Sequence, residues 1–258
     1  LKIEHPAWQG RCRSSTSPVE EARGILGDRQ ILAHLSFGCR IDEGLGKSPI
    51  GGGMSAVVLF QVLNIIGTFV FGLSGAMVAV RRRLDIFGVL VLSVATGVAG
   101  GMLRDMALGA VPPEVLRSVW PMAVASLAGL CVWFFKPLIE RFDRPVMLLD
   151  AVGLGVFTVA GCRKALILGL DAPGAVLLGV MTAIGGGMLR DMMVAEVPRV
   201  LREEVYALAA FAGAAGYCLG LWLGLSETWA AGGSVLLASS LRIASVRFGW
   251  RLPRPPQR

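Results

Sequence analysis

Two Arg-Asp pairs, Arg104-Asp105 and Arg190-Asp191, are the residues of this chain best suited to chemistry, because each stands inside a long apolar stretch where ionised side chains are costly. They belong to a duplicated motif. Gly100-Gly101-Met102-Leu103-Arg104-Asp105-Met106 returns as Gly186-Gly187-Met188-Leu189-Arg190-Asp191-Met192, and a proline follows each copy, Pro112 and Pro198. The offset of 86 residues is constant, and it also relates Gly67 to Gly153, Phe71 to Phe157, Gly75 to Gly161, Asp85 to Asp171 and Thr96 to Thr182. Glycine weakens a helix, and carbonyls freed inside a bilayer must find water or another donor, so glycine beside charge suits a lined path for ions or small polar solutes. The competing reading of the glycines is close helix packing through small residues. Adjacent side chains on a helix do not share a face, so one member of each Arg-Asp pair is expected to line the path while the other binds a neighbouring helix or subunit. Pairing that merely holds the helix bends is the structural alternative.

Asp150 is a further carboxylate, opposite Asn64 under the repeat offset. It either attracts cations at a cytoplasmic mouth or caps the start of its helix. Arg163 and Lys164 close the same apolar stretch and lie on the side where basic residues are not expected. They are read as snorkelling toward headgroups or as functional cations, with Lys164 kept as a gating candidate. The two histidines, His5 and His34, both precede Met54, which removes haem ligation, histidine-ligated zinc and histidine acid/base catalysis from the apolar body. Cys131, Cys162 and Cys218 have no ligand spacing and read as small packing residues. No cofactor or metal is expected, and an intramembrane enzyme is disfavoured because no histidine or motif-borne nucleophile accompanies the pairs.

The elements that must position these groups are transmembrane helices. Across 258 residues, 54% are hydrophobic and 17% charged, with a mean hydropathy of +0.66, whereas soluble domains carry about a quarter charged residues. The net charge of +7 sits at the ends of apolar runs, where it signals topology rather than nucleic-acid binding. Apolar runs of bilayer length fall near residues 55–80, 86–111, 119–135, 146–161, 173–197, 205–223 and 228–246. The fold class is therefore all-α, an integral membrane protein of seven transmembrane helices. Residues 60–135 and 146–222 form two repeats of three helices each, an odd number that requires the second copy to be inverted. Residues 226–248 form a seventh helix outside the duplication, expected to serve packing or a subunit interface, and residues 249–258 a basic cytoplasmic tail. Residues 1–53 lack sustained periodicity and are expected to be a disordered or non-native extension, with the native start at Met54. Arg81-Arg82-Arg83, the group Lys136, Arg141 and Arg144, and the group Arg247, Arg251, Arg254 and Arg258 fall on one side of a seven-span chain. That side is the cytoplasm, which places the N-terminus outside and the C-terminus inside.

A glycine cluster followed by Met-Leu-Arg-Asp and a proline, twice over in about seven spans, resembles the prokaryotic branch of the trimeric intracellular cation channel (TRIC) family, also catalogued as a glycine-transporter domain. The resemblance runs from about residue 64 to about residue 223. It implies a multi-pass protein of the bacterial inner membrane, assembled as a homotrimer. Each subunit then has its own pore, bounded by kinked second and fifth helices and passing potassium or other monovalent cations. The hinge glycines carry over to Gly185, Gly186 and Gly187, and less completely to Gly100 and Gly101, where Ala99 holds the first position. Arg104, Asp105, Arg190, Asp191, Asp150 and Lys164 are the pore-lining or gating candidates. Animal members carry a longer basic motif on the fourth helix that binds phosphoinositide; only Arg163 and Lys164 stand there in this chain, so that function is not expected. The glycine-transporter label implies the alternative, a carrier for glycine or a similar small amino acid.

Overall fold

The computed structural model describes residues 54–135, 145–202 and 204–250. The expected extension at 1–53, the cations at 136, 141 and 144, and residues 251–258 of the tail lie outside the described residues. Among those described, the regular structure is entirely helical: α1 Met54–Arg81, α2 Ile86–Ala107, α3 Glu114–Arg117, α4 Trp120–Phe134, α5 Pro145–Ile167, α6 Ala172–Met193, α7 Arg199–Arg202, α8 Glu204–Trp222 and α9 Glu227–Arg247. Six of these, α1, α2, α5, α6, α8 and α9, are long and apolar enough to cross a membrane. α4 is apolar but has 15 residues, about 22 Å of helix against a hydrocarbon layer of about 30 Å.

The helix ends differ from the apolar runs in three instructive places. The second and fifth runs were expected to reach residues 111 and 197, but α2 ends at Ala107 and α6 at Met193. Left-handed residues stop them, Gly109 with φ 67° and Ala195 with φ 55°, which stand 86 residues apart. In each copy the chain then bonds back to the helix, Ala110 N–H to the Asp105 carbonyl and Glu196 N–H to the Asp191 carbonyl, both at 2.9 Å. The fourth run was expected to end at Gly161, whereas α5 continues to Ile167. Arg163 and Lys164 fit inside that helix because both find carboxylates.

Packing follows the repeat offset. Phe71 and Phe157 stack with ring centroids 5.3 Å apart, and each closes on the other copy's glycine. A methyl group added at Gly67 would lie 2.9 Å from Phe157, and one at Gly153 3.0 Å from Phe71. α2 and α6 cross in the same reciprocal way. A methyl group at Gly100 would fall on the Thr182 carbonyl oxygen, and one at Gly186 would lie 2.6 Å from the Thr96 carbonyl oxygen. Gly100 and Gly186 therefore let two backbones touch, and both helices run as unbroken α-helix through their glycine clusters. α9 packs on α5 and α8, and it buries Glu227, Ser234, Ser239, Arg242 and Ser245.

Candidate functional site

The two Arg-Asp motifs build two buried charge clusters at the C-terminal ends of α2 and α6. In the first, Arg104 Nε donates to Asp105 Oδ1 at 2.8 Å, and Lys164 Nζ of α5 donates to the same oxygen at 2.8 Å. Lys164 also reaches Glu114 Oε2 at 3.2 Å, and Arg104 Nη2 lies 3.8 Å from that atom. In the second, Arg190 Nε donates to Asp191 Oδ1 at 2.9 Å, while Arg190 Nη1 donates to Asp150 Oδ1 at 2.7 Å and to Ser74 Oγ at 2.5 Å.

The remaining oxygen of each aspartate ties down the chain just past the proline, one residue later in the first copy, where Pro113 follows Pro112, than in the second. Asp105 Oδ2 accepts the backbone N–H of Glu114 at 3.0 Å, and Asp191 Oδ2 accepts that of Arg199 at 2.9 Å. These residues begin α3 and α7, directly after Pro113 and Pro198. Proline has no N–H, so the first donor available to the carboxylate is the next residue along, at a helix start where unpaired N–H groups favour an anion. Each motif is thus a unit of arginine, carboxylate and return loop.

Several expectations change here. Arg104 with Asp105, and Arg190 with Asp191, do not divide between a path and a neighbouring helix: all four are buried and bonded within pairs. The arginine side chain is long enough to curl back onto its neighbour's carboxylate, which a rule based on Cβ direction does not capture. Asp150 is the sixth residue of α5 and 1% exposed, so it neither caps that helix nor stands at an open mouth. It pairs with Arg190 because α5 lies beside α6. Arg163 and Lys164 do not simply reach for headgroups. Arg163 pairs with Glu227 of α9 and lies over the Phe60 ring, its Cζ 3.9 Å from the centroid. Tyr217 Oη donates to Glu227 Oε1 at 3.4 Å. The seventh helix accordingly supplies charge as well as packing.

Sequence reasoning missed Ser74, Glu114 and Tyr206. Under the offset their counterparts are Ala160, Val200 and Trp120, so the duplication carries no signal for them. Tyr206 borders the second cluster at Gly187, where an added methyl group would lie 3.0 Å from Tyr206 Oη, 3.4 Å from Asp150 Oδ1 and 3.6 Å from Arg190 Nη2. The Arg242 guanidinium stands over the ring of Tyr206, 4.6 Å from its centroid. Among the described residues, Asp150 Oδ2, Arg190 Nη2 and Tyr206 Oη are buried without a hydrogen-bond partner. By contrast, a methyl group at Gly101 would meet only Arg104 Nη2, at 3.9 Å.

Six apolar helices of bilayer length packed around paired buried charges make this a multi-pass membrane protein. The family model described as a glycine transporter matches this chain twice, over residues 61–137 and 147–221. The chain belongs to that family, the one that includes the prokaryotic TRIC channels. It is 39% identical over 196 residues to the UPF0126 membrane protein of Deinococcus radiodurans, covering 74% of this chain and 89% of that one. It is 35% identical over 198 residues to the UPF0126 inner membrane protein YadS of Escherichia coli, covering 76% and 96%. Among solved structures, the TRIC trimeric intracellular cation channel orthologue from Rhodobacter sphaeroides matches with a TM-score of 0.71 at 34% identity, over 74% of this chain and 99% of that one. A prokaryotic TRIC channel crystallised in 0.5 M KCl matches with a TM-score of 0.70 at 31% identity, over 76% and 100%.

Proposed function

We propose that this protein is a cation channel of the bacterial inner membrane that passes potassium and other monovalent cations, with one pore in each subunit of a homotrimer. Two inverted repeats, residues 60–135 and 146–222, supply α2 and α6 as the pore walls. Gly101, with open space beside it, is the hinge position, while Gly100 and Gly186 hold the two walls in contact; the N-terminus lies outside and the C-terminus in the cytoplasm. The observation that carries this reading is the neutralisation of both arginines. Positive charge in a pore wall opposes cations, but Arg104 and Lys164 face Asp105 and Glu114, and Arg190 faces Asp150 and Asp191. Similarity to solved cation channels at 34% identity points the same way.

The glycine-carrier alternative rests on the description of the family model. Flux into proteoliposomes separates the two. Potassium current without any organic substrate is the expected outcome. Saturable glycine uptake driven by an ion gradient, with no such current, would replace the channel by a carrier.

A further inference from the structure

Cys162 of α5 and Cys218 of α8 face each other across a helix interface, their Sγ atoms 3.3 Å apart. Nothing in their sequence spacing pairs them; the adjacency exists only because α5 and α8 pack side by side. Cys162 is fully buried, with its Sγ 3.9 Å from the Ala214 carbonyl oxygen, whereas Cys218 is half-buried and gives a reagent a way in. The sulfurs must close by only about 1.3 Å to reach a disulfide length of about 2.05 Å. Cys162 precedes the end of α5 by five residues and Cys218 precedes the end of α8 by four, about 6 to 8 Å of helix. The pair therefore lies near the headgroup region, within reach of a small permeant molecule.

We propose that Cys162 and Cys218 form a redox-active dithiol, which a peroxide converts into an intramolecular disulfide tying α5 to α8. The Cys218 sulfur attacks the O–O bond of the peroxide, giving a sulfenic acid and one water. The Cys162 sulfur then displaces hydroxide from that sulfenic sulfur, forming the S–S bond; the hydroxide leaves with the Cys162 proton as a second water. Two thiols lose two electrons while one hydrogen peroxide is reduced to two waters, and an added dithiol reverses the bond by exchange. The bond would fasten the helix that carries Asp150 and Lys164 to the helix that carries Tyr206.

The test uses the full chain in liposomes, treated with hydrogen peroxide, denatured, alkylated with N-ethylmaleimide and mapped by peptide mass spectrometry. The expected result is a cross-linked peptide pair containing Cys162 and Cys218, lighter by two hydrogens than the reduced pair and lost after dithiothreitol, while Cys131 stays alkylatable. The Cys162→Ser protein should instead hold a sulfenic acid at Cys218 that dimedone traps. Full alkylation of both thiols after peroxide treatment, or a Cys218 disulfide to any other cysteine, including one in a second copy, overturns the proposal.

Discussion

The Arg104 and Arg190 clusters begin from the same seven-residue motif and end in different surroundings. Around Arg104 the ring of partners is half open: the Lys164 side chain is 27% exposed and that of Glu114 59%, and Gly101 has free space beside it. Around Arg190 it is closed, because Asp150, Ser74 and Tyr206 fill the same region from α5, α1 and α8. Local chemistry copied with the motif, but the neighbours did not, since Asn64 stands where Asp150 would be expected and Val78 where Lys164 would be. A paired charge in a closed cluster holds the structure. A paired charge with exposed partners such as Lys164 and Glu114 has less of the fold resting on it.

The largest difference should come from neutralising the arginines. Arg190→Gln leaves Asp150 and Asp191 buried without their cation, a cost of about 3 to 5 kcal/mol, so thermal unfolding in detergent should show a protein that barely survives extraction. Arg104→Gln leaves Lys164 on Asp105, so its cost should be about 1 to 3 kcal/mol, with a shifted reversal potential in bilayers. Equal stability loss in the two variants would erase the distinction between the clusters.

Next in size are the crossing glycines. Gly100→Ala and Gly186→Ala each drive a methyl group into a carbonyl of the facing helix, which should cost about 1 to 3 kcal/mol and reduce the yield of folded protein on size-exclusion chromatography. Unchanged melting in both would mean that the helices separate freely at that crossing.

The neighbouring glycines sharpen the comparison further. Gly101→Ala enters open space, and alanine favours a helix over glycine by roughly 0.5 to 1 kcal/mol, so the melting temperature should hold or rise. Reduced potassium flux from that stable protein would mark Gly101 as a hinge, and full flux would remove it from that role. Gly187→Ala must displace Tyr206 Oη and should lose both stability and flux.

The smallest effect is expected at the exposed Arg82 and Glu196 pair, which joins the end of α1 to the loop after α6. Glu196→Gln should change stability by no more than about 1 kcal/mol, and less in high salt. A larger loss in a melting series run at several salt concentrations would show that this contact holds the second return loop in place.

Much of this molecule was legible from the chain alone. Apolar runs report a bilayer because transfer of side chains is additive along a helix, and duplication is visible because both copies kept glycines, Arg-Asp and proline in register. The stops at Gly109 and Ala195 were harder to read, since a left-handed alanine has no sequence signature. Glycines also look alike in sequence: Gly100 proved a contact between backbones, Gly101 a gap, and Gly187 the border of a polar cluster. Which residue answers each charge depended on which helices lie side by side. Asp150 meets Arg190, Lys164 meets Asp105, Glu227 meets Arg163 and Cys162 meets Cys218 across separations of 40 to 64 residues. The sequence by itself determined the membrane class, the helices and the repeated motif, because these follow from local composition and spacing. Only the tertiary structure decided the pairing of buried charges, because burial forces each charge to find a partner and leaves the choice to whatever packs against it.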